Sequence, residues 1–447
     1  MVALSPSRSS TGTARAMAAV VSGARTPFVK MGGAMRDVHA ADLARVAIQE
    51  TLYRAHWPAH RIDEVILGNV VMPADAANLA RVAALWAGVP YSVPALTVQR
   101  NCASGMEALA DAANRIRHHE ARMVLAGGAE SMSTIPLLFP QSASEPMMAL
   151  GRARNAWQQA KAIGALRPRH FKPIIGLELG LTDPTVGMIM GKTAELLASE
   201  FGLSRREQDE FALRSHQKAC AAIDAGKFND EIVPFYAGRK FEPITADIGP
   251  RAGQTIEALA KLKPIFDRRD GTVTVGNACQ VTDGAATVLL ADPDAARDEG
   301  LPVLGYIRAY AYAALDPARM GLGPVYAIDQ LLRKTGLAIS DIGLWEINEA
   351  FAAQVLACLK AMGSTKFAAD HLGRSEAVGE IDPELLNVNG GSIALGHPVG
   401  ATGTRIVLTL LHEMRRRDVQ FGVASLCVGG GQGAAILLER AEVNGNE

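Results

Sequence analysis

The pattern of hydrophobic and polar positions predicts strands that alternate with helices along the first 130 residues. Four short apolar runs are typical of buried strands. These runs occupy residues 16–21, 65–68, 96–99 and 123–126. After the third run, apolar residues recur at steps of three and four, which predicts one face of a helix. They are Met106, Leu109, Ala113 and Ile116. Such an alternation predicts a mainly parallel sheet covered by helices.

The same alternation returns in the last hundred residues. Residues 400–417 predict a helix that ends in three arginines, which suits the negative end of the helix dipole. Its apolar face consists of Val407, Leu410, Leu411 and Met414. Residues 423–426 and 434–438 predict two strands that pair with each other. Because a cysteine follows a predicted strand in each part of the chain, we interpret the protein as two related halves that share one site.

Residues 134–265 interrupt this alternation with proline-rich turns and basic residues. Within them, residues 207–228 predict a helix. The stretch from Met147 to Lys172 instead mixes large apolar residues with arginines and lysines. Such a mixture is typical of a surface that docks on a membrane or on a partner protein. The alternative interpretation is a lid over the substrate with one solvated face.

Composition narrows the class of protein. The chain has 447 residues, of which 49% are hydrophobic, enough for more than one core. Its formal net charge of -1 argues against a nucleic-acid partner. No apolar stretch has transmembrane length, so a soluble protein is expected. The five cysteines are odd in number and lack a CxxC pair, which argues against a disulfide framework and favours a reducing compartment.

Residues 1–15 are rich in Ser, Thr and Arg and contain no acidic residue. They lack the apolar core of a secretory signal. A short organellar transit peptide is one interpretation, and a disordered tail is the other. We favour the disordered tail.

Two cysteines stand in glycine-rich settings that suit chemistry. Cys102, within Asn-Cys-Ala-Ser-Gly, follows a predicted strand and stands at a helix start, where the helix dipole is expected to make the thiol more acidic. Its thiolate would attack a thioester or ketone carbonyl. The alternative is a buried small residue. Cys427 precedes three glycines and is a candidate for moving a proton to and from carbon, with glycine N–H groups as an oxyanion hole.

Polar residues in two further turns complete the candidate chemistry. His397, held between Gly396 and Pro398, is expected to take a proton from a thiol and to donate to an oxyanion, although a structural histidine is the alternative. Asn348 could hold a water or an oxygen, or cap a helix. Cys220 and Cys358 are expected in helix cores. Metal-ligand spacing, GxGxxG and Walker patterns are absent, which argues against a metal or a nucleotide redox cofactor.

Taken together, these motifs resemble the thiolase family, and most closely the thiolase subunit of trifunctional β-oxidation complexes. The matching segments occur in the family's order and span nearly the whole chain. They are residues 23–28, 101–105, 127–132, 271–274 with Asn277 and 283–286, 348–351, 396–398 and 427–431.

The resemblance implies an α/β protein with the five-layer αβαβα thiolase fold, in which two similar halves carry an inserted loop domain. On that basis we expect four parts and assembly as a homodimer or tetramer. The parts are a tail at 1–15, an N-terminal half at 16–133 and 266–295, a loop domain at 134–265, and a C-terminal half at 296–441.

The resemblance also implies the reaction. It is CoA-dependent cleavage of a 3-ketoacyl-CoA to acetyl-CoA and a shortened acyl-CoA in fatty-acid β-oxidation, with CoA as a substrate and no cofactor or metal. The alternative is an acetoacetyl-CoA thiolase that acts in the condensing direction. In the family's pattern, Cys102 takes up the acyl group, and His397 activates it and forms one oxyanion hole with a water held by Asn348. Cys427 protonates the enolate, and the N–H groups of Cys102 and Gly429 form the second hole.

Departures from the family's pattern refine these expectations. Cys279 replaces a serine that usually lies near the pantetheine, and Arg251 lies near the position that contacts the CoA phosphates, so both are candidate CoA-binding residues. The insert at 136–184 is longer than in acetoacetyl-CoA thiolases. We therefore expect medium or long acyl chains, and docking to a hydratase/dehydrogenase subunit or a peripheral membrane contact. The expected location is the bacterial cytoplasm, with the mitochondrial matrix as the alternative.

Two rival classes share the fold. A decarboxylating ketoacyl synthase generally uses two histidines, but Asn348 and Glu349 stand where one of them would lie, and Cys427 is present. A lipid carrier or scaffold without catalysis could lose a catalytic residue and keep the fold. All four candidates are intact here, which favours an enzyme.

Overall fold

The computed structural model describes residues 16–238 and 241–441. The predicted disordered tail at 1–15 therefore lies outside the described residues. The first part of the chain forms strands β1 (Ala18–Arg25), β2 (Val29–Lys30), β3 (Glu64–Gly68), β4 (Ala95–Val98) and β5 (Met123–Glu130). Its helices are α1 (Ala40–Arg54), α2 (Leu79–Trp86) and α3 (Ser104–Arg117). All four predicted strands are present, and the predicted apolar face of α3 is fully buried.

Apart from one long helix, α8, the middle part consists of short elements. Its strands are β6 (Leu137–Leu138), β7 (Ile174–Ile175), β8 (Thr182–Asp183), β9 (Met188–Ile189), β10 (Phe235–Ala237) and β11 (Glu242–Ile244). Its helices are α4 (Ser144–Arg152), α5 (Ala156–Ala165), α6 (Gly176–Gly180), α7 (Met190–Glu200), α8 (Arg205–Asp224) and α9 (Ile256–Ala260). The strands pair only as two-stranded sheets. The helix predicted at 207–228 is α8, which ends earlier because Gly226 adopts a positive φ of 67°. The domain boundaries stay predictions.

The last part returns to long elements. Its strands are β12 (Thr282–Ala291), β13 (Gly305–Ala314), β14 (Leu344–Ile347), β15 (Phe421–Val428) and β16 (Gln432–Arg440). Its helices are α10 (Pro293–Asp298), α11 (Gly323–Thr335), α12 (Ala352–Met362), α13 (Thr365–Phe367), α14 (Ser392–Leu395) and α15 (Val399–Arg417). The two predicted strands near the end are β15 and β16, and they pair antiparallel as expected.

Ten strands form one sheet in the order β14-β15-β16-β13-β1-β12-β5-β3-β4, with β2 beside β12. The prediction of a mainly parallel sheet is wrong, because within the described residues only the pairs β3–β4, β3–β5 and β14–β15 are parallel. Helical crossovers join those strands. The remaining neighbours are antiparallel. For β15 and β16 the tight glycine turn between them requires this direction.

The sheet curves around two central helices, α3 and α15, and this gives the predicted five-layer αβαβα arrangement. Alternate residues of β1 face opposite layers: Val20 packs toward α3 and α15, whereas Val21 packs toward α1 and α2. On the far side, α11 and α12 cover β13 to β16. The central helices approach closely because Gly403 has no side chain. A Cβ at this position would lie only 2.4 Å from the backbone nitrogen of Met106.

The expectation of a single apolar face on α15 is wrong. Residues 399–411 are buried on every side, because the helix lies between the two parts of the sheet. Small residues such as Gly400, Ala401 and Gly403 make this burial possible. A helix that is buried all round cannot be recognised from one stripe of large apolar residues.

A buried ion cluster attaches the middle part to β1. The guanidinium of Arg25 is fully buried and contacts Glu231 at 2.7 Å and Asp247 at 2.7 Å. Asp247 also accepts the backbone N–H of Phe28 at 2.7 Å. These bonds hold the end of the middle part against the sheet edge beside the site described below. Across residues 16–238 and 241–441, no helix has both the length and the apolar character needed to cross a membrane.

Candidate active site

Most of the predicted site residues lie where parallel strands end. Asn348 directly follows β14, and its backbone N–H donates to Ser425 on β15 at 2.9 Å. Cys427 is the penultimate residue of β15, and Cys102 follows β4. Because the carboxyl ends of parallel strands open at one edge of a sheet, this is where α/β proteins commonly hold their ligands.

Cys102 lies in a turn just before α3. The preceding residue, Asn101, has a φ of 42°, a left-handed conformation that asparagine tolerates better than most residues. The backbone N–H of Gly429 donates to the Cys102 sulfur, which favours the thiolate, but burial is the larger effect and raises the pKa of the thiol. The prediction of a more acidic thiol is therefore wrong. The resting group is a thiol that needs a base.

The loop after β15 is fastened to the Cys102 turn. The side-chain amide of Asn101 donates to the carbonyl of Gly429 at 2.8 Å. The next two glycines have φ values of 87° and 74°, and a Cβ at Gly431 would lie 2.2 Å from the carbonyl oxygen of Leu315. Only glycine fits at position 431. The tight turn that it allows lets the Gly429 N–H reach the Cys102 sulfur.

His397 follows Gly396, whose φ of 107° is accessible only to glycine. The imidazole Nδ1 lies 2.7 Å from the Thr402 hydroxyl, and that hydroxyl donates its single proton to the Pro398 carbonyl at 3.1 Å. Thr402 must then accept, so Nδ1 carries the proton and Nε2 is an unprotonated base. Nε2 is buried with no partner among the described residues. Burial and the charge of Arg405 lower the pKa of His397 to about 3.

Asn348 is not a helix N-cap, because the cap of α12 is Phe351. Its side chain is 1% exposed, and Oδ1 accepts from the Ser392 hydroxyl at 2.6 Å. Its Nδ2 group is buried and has no partner within the described part of the chain. A buried amide N–H without an acceptor is costly, so this group is available to a water or a ligand oxygen.

Cys427 points away from the central helices, into the layer that contains α12. Its side chain is 1% exposed. Burial raises the pKa of Cys427 well above its ordinary value, and the neighbouring thiols of Cys102, Cys358 and Cys279 raise it further. A thiol that stays protonated in this way can give a proton to carbon.

Two adjoining cavities surround these groups. The cysteine cavity, about 400 Å³, is lined by Asn101, Cys102 and Gly429. The histidine cavity, about 480 Å³, is lined by His397 and by both predicted CoA-binding residues, Arg251 and Cys279. The two cavities share wall residues Met132, Leu181, Met190 and Val399. The structure thus places Cys102, Gly429, His397, Arg251 and Cys279 on two adjoining cavities, whereas Cys427 and Asn348 are buried and line neither cavity.

The other cysteines have different settings. Burial raises the pKa of Cys279 to about 12, and the nearby Cys102 adds to this effect, so Cys279 fills the wall of the histidine cavity as a neutral thiol. Cys358 is fully buried in α12, as predicted. The prediction that Cys220 is a core residue is wrong, since it is partly exposed on α8.

Sequence reasoning missed the residues that position the site. Glu130 was quoted within a motif without a role. It is fully buried at the end of β5 and accepts the N–H groups of Val70, Val71 and Gly400. These bonds tie two loops of the site together, although burial still raises the pKa of Glu130 to about 7. Asn101, Thr402 and Ser392 were also missed. The only signal for Asn101 was its position in the segment 101–105, and the only signal for Ser392 and Thr402 was that they lie within six residues of the Gly-His-Pro turn at 396–398.

Metal ligation does not enter this geometry. Over the described ranges, no group of three or more His, Cys, Asp or Glu side chains is arranged to hold a metal ion. What the arrangement offers is a thiol beside a neutral imidazole, a second thiol, and N–H donors facing a cavity. Such a set can form and break a thioester and stabilise a negative oxygen.

Comparisons with known proteins agree over nearly the whole chain. The family model described as "Thiolase, N-terminal domain" matches residues 18–294, and "Thiolase, C-terminal domain" matches residues 301–440. The chain is 40% identical to the 3-ketoacyl-CoA thiolase of Citrobacter koseri over 94% of this chain and 96% of that protein. It is 44% identical to the acetyl-CoA acetyltransferase of Pseudomonas aeruginosa, over 94% and 98% respectively. The human mitochondrial 3-ketoacyl-CoA thiolase in complex with CoA superposes with a TM-score of 0.81 at 38% identity, over 95% and 98%.

Proposed function

The chain belongs to the thiolase family and is an acyltransferase, and on that basis we propose that it is a 3-ketoacyl-CoA thiolase of fatty-acid β-oxidation. The substrate is cleaved by CoA to acetyl-CoA and an acyl-CoA shortened by two carbons. CoA is a substrate, and no cofactor is required. The observation that carries the proposal is that Cys102 and His397 line two cavities with shared walls and that Cys427 lies close enough to Cys102 for the two thiols to interact. In addition, Nε2 of His397 and Nδ2 of Asn348 are buried without a partner among the described residues.

In the first half-reaction, His397 Nε2 takes the proton of Cys102 as the sulfur attacks the C3 carbonyl. The carbonyl oxygen becomes negative and is stabilised by His397 and by a water on the Asn348 amide. When the oxyanion collapses, the bond between C2 and C3 breaks, and its electron pair forms the acetyl-CoA enolate. Cys427 gives this carbon a proton. The acyl group remains on Cys102 as a thioester.

The second half-reaction regenerates the enzyme. The Cys427 thiolate takes the proton of an incoming CoA thiol, and the CoA sulfur attacks the acyl-Cys102 carbonyl. The backbone N–H groups of Cys102 and Gly429 would stabilise the second oxyanion. Shortened acyl-CoA leaves, and Cys102 regains its proton. A single oxyanion donor typically contributes about 2.7–4 kcal/mol to lowering the barrier, so two holes have a large combined effect.

The cysteine cavity supports a preference for medium or long chains. Its walls include apolar residues of the middle part, namely Ile135, Leu177, Leu179 and Leu181. An acyl chain on Cys102 would contact these side chains, and burial of each methylene contributes roughly 0.8 kcal/mol. The basic residues Lys30 and Arg251 line the histidine cavity and suit the phosphates of CoA, while Cys279 would contact the pantetheine.

The alternative is an acetoacetyl-CoA thiolase that works in the condensing direction. The specific observation in its favour is the 44% identity to a protein named acetyl-CoA acetyltransferase. Both candidates use the same four catalytic groups, so only the substrate range separates them.

The test is CoA-dependent cleavage of 3-ketoacyl-CoAs with four to sixteen carbons. Activity that rises with chain length and is lost in Cys102→Ala would support the 3-ketoacyl-CoA thiolase. Activity confined to the four-carbon substrate would contradict it and favour the alternative. Activity that survives Cys102→Ala would contradict both, together with the acyl-cysteine intermediate.

We also propose that the enzyme is a homodimer or tetramer. Supporting this, β4 lies at the edge of the sheet, where its backbone groups can pair with a second copy. Leu96 on this strand is 37% exposed, and Tyr91 just before it is 85% exposed. Light scattering of the purified protein would test the assembly, and a monomer at micromolar concentration would contradict it.

The middle part supports a docking role. Strands β6 and β7 form a ribbon whose four side chains, Leu137, Leu138, Ile174 and Ile175, are all exposed. Trp157 nearby in sequence is 72% exposed and has Lys161 over its ring. We propose that this surface contacts a hydratase/dehydrogenase subunit of a β-oxidation complex or a membrane. Co-purification with such a subunit and sedimentation with anionic vesicles separate the two, and failure of both would contradict docking.

We place the enzyme in the bacterial cytoplasm. Two relatives named above are bacterial, and all five cysteines are unpaired, which suits a reducing compartment. The mitochondrial matrix stays an untested alternative. Fractionation of the source cells with an antibody to the protein would test this location.

A further inference from the structure

Behind Asn348 lies a buried chain of hydrogen bonds that no step of the reaction uses. The Asn348 Oδ1 atom accepts from the Ser392 hydroxyl at 2.6 Å. The Ser392 oxygen faces Nη2 of Arg405 at 3.3 Å, and Nη1 of Arg405 faces Glu346 at 3.4 Å. All four side chains are at most 3% exposed. This is an internal network that ends on a proposed catalytic group.

We propose that Ser392, held by Arg405, is a positioning residue that fixes the orientation of the Asn348 amide and so keeps its N–H group directed at the oxyanion water. This role rests on the proposed function, because the proposed reaction is what gives the Asn348 amide its task. In this role neither Ser392 nor Arg405 touches the substrate. Both act through Asn348.

The direction of each hydrogen bond follows from donor chemistry. A guanidinium can only donate, so the Ser392 oxygen accepts from Arg405. The single Ser392 proton is then free for Asn348 Oδ1. If the amide rotated by half a turn, its NH₂ group would face the hydroxyl, and the Ser392 proton would lose its acceptor in a buried place. Since a buried hydroxyl proton without an acceptor is costly, the network selects one of the two amide orientations.

The selected orientation is the one the chemistry needs. With Oδ1 turned toward Ser392, the unpartnered Nδ2 atom is the free end of the amide. It can donate to a water or an oxyanion, whereas the opposite orientation would present a carbonyl oxygen to a developing negative charge. The amide oxygen and nitrogen are nearly equal in size, so packing alone cannot make this choice.

Electrostatics explains why an arginine is tolerated behind the site. Glu346 faces the guanidinium at 3.4 Å and accepts from it, and the charge of Arg405 opposes the effect of burial, which raises the pKa of Glu346 to about 8. The same positive charge helps to lower the pKa of His397. Arg405 therefore serves both the amide and the imidazole from one position in α15.

The experiment compares Ser392→Ala, Ser392→Thr, Asn348→Ala and the double variant Ser392→Ala/Asn348→Ala in thiolysis of one 3-ketoacyl-CoA. We expect Ser392→Ala to lower kcat about three- to ten-fold, the effect of one neutral hydrogen bond, with both KM values nearly unchanged. Ser392→Thr keeps the hydroxyl and is expected to retain most of kcat. In the Asn348→Ala background, Ser392→Ala should cause no further loss, because the residue it positions is gone.

Ser22→Ala is the matched control, since its buried hydroxyl also donates one bond, to the Thr51 carbonyl at 3.1 Å, far from the site. Melting temperatures of both variants separate a loss of stability from a loss of kcat. Unchanged kcat in Ser392→Ala, or an equal further loss in the Asn348→Ala background, would overturn the positioning role. Full activity of Asn348→Ala would instead overturn the proposed oxyanion site, and the positioning role with it.

Discussion

The side chain of Asn101 holds the backbone of Gly429: its amide donates to the Gly429 carbonyl at 2.8 Å, and the Gly429 N–H donates to the neighbouring Cys102 sulfur. The two residues belong to opposite halves of the chain. The proposed nucleophile, Cys102, is therefore fixed by a contact between the halves, and neither half alone would place it.

Asn101→Gly is expected to lower kcat about ten-fold with little change in melting temperature. Glycine accepts the left-handed φ of this position, so only the bond to Gly429 is lost. Asn101→Asp also tolerates that φ but turns a carboxylate oxygen toward the Gly429 carbonyl, so a larger fall is expected. Steady-state thiolysis and thermal denaturation measure both. Equal kcat in Asn101→Gly and the unmodified enzyme would show that the contact is not needed.

Thr402→Val is expected to lower kcat about ten-fold or more, because His397 Nδ1–H loses its acceptor and the useful tautomer is no longer favoured. Thr404→Val is the matched control. Thr404 is buried in the same helix and donates to the Gly105 carbonyl at 3.2 Å, without contacting His397. Both variants should lose similar stability in thermal denaturation. A similar fall of kcat in both would refute the assignment of the tautomer to Thr402.

Titration of His397 should add no acid limb to the rate of acyl-enzyme formation between about pH 5 and 8. The pKa of His397 is lowered to about 3, which moves its acid limb well below the ordinary histidine range and leaves a neutral base throughout this window. Burial raises the pKa of Cys102. Ionisation of the free thiol therefore causes no change of the rate at pH values below the ordinary pKa of a cysteine. Quenched-flow mass spectrometry of a single turnover measures the rate, with circular dichroism to confirm that the protein stays folded. An acid limb with a midpoint between pH 6 and 7 that persists in Glu130→Gln would contradict the neutral-base assignment, because that variant removes the buried carboxyl with a pKa of about 7.

Leu177→Phe is expected to lower kcat/KM for a twelve-carbon substrate about ten-fold more than for the four-carbon substrate, since Leu177 lines the cysteine cavity and the larger ring fills it. Ile174→Phe is the matched control. Ile174 is exposed on the ribbon of the same segment and is not part of the cavity wall. The ratio of the two kcat/KM values is the measurement. An unchanged ratio in Leu177→Phe would argue against acyl binding in this cavity.

Arg25→Met should lower the free energy of unfolding by about 3–5 kcal/mol, because it leaves the buried carboxylates of Glu231 and Asp247 without their partner. Arg206→Met provides the comparison, since it removes an exposed ion pair with Glu210 on α8 and should cause no measurable change. Urea denaturation and thermal midpoints give both results. Equal stability of the two variants would show that the cluster does not hold the middle part to β1.

Much of the fold could be predicted because local sequence patterns determine many of its strands and helices. The strands at 65–68 and 123–126 and the face of α3 follow from periodicity, and the antiparallel partnership of β15 and β16 follows from the short glycine turn between them. Strand direction elsewhere could not be predicted in this way. Alternation of strands and helices says nothing about β1 pairing with both β12 and β13, since these partners are distant in the chain.

At the site, too, some properties could be predicted from the sequence and others could not. The identity of Cys102, His397, Asn348 and Cys427 as candidates came from residue type and glycine-rich surroundings. Their ionisation did not, because the acidity expected from a helix start is outweighed by burial at Cys102. Burial is a property of the packed molecule, and a sequence window around one residue does not contain it.

The sequence by itself therefore determined the family, the order of the motifs and the groups that can react. The tertiary structure alone decided that α15 is buried between the two parts of the sheet, that Thr402 selects the His397 tautomer and that Ser392 selects the orientation of Asn348. The physical reason is that hydrogen-bond direction and desolvation depend on the atoms that surround a group. At this site many of those atoms come from distant parts of the chain.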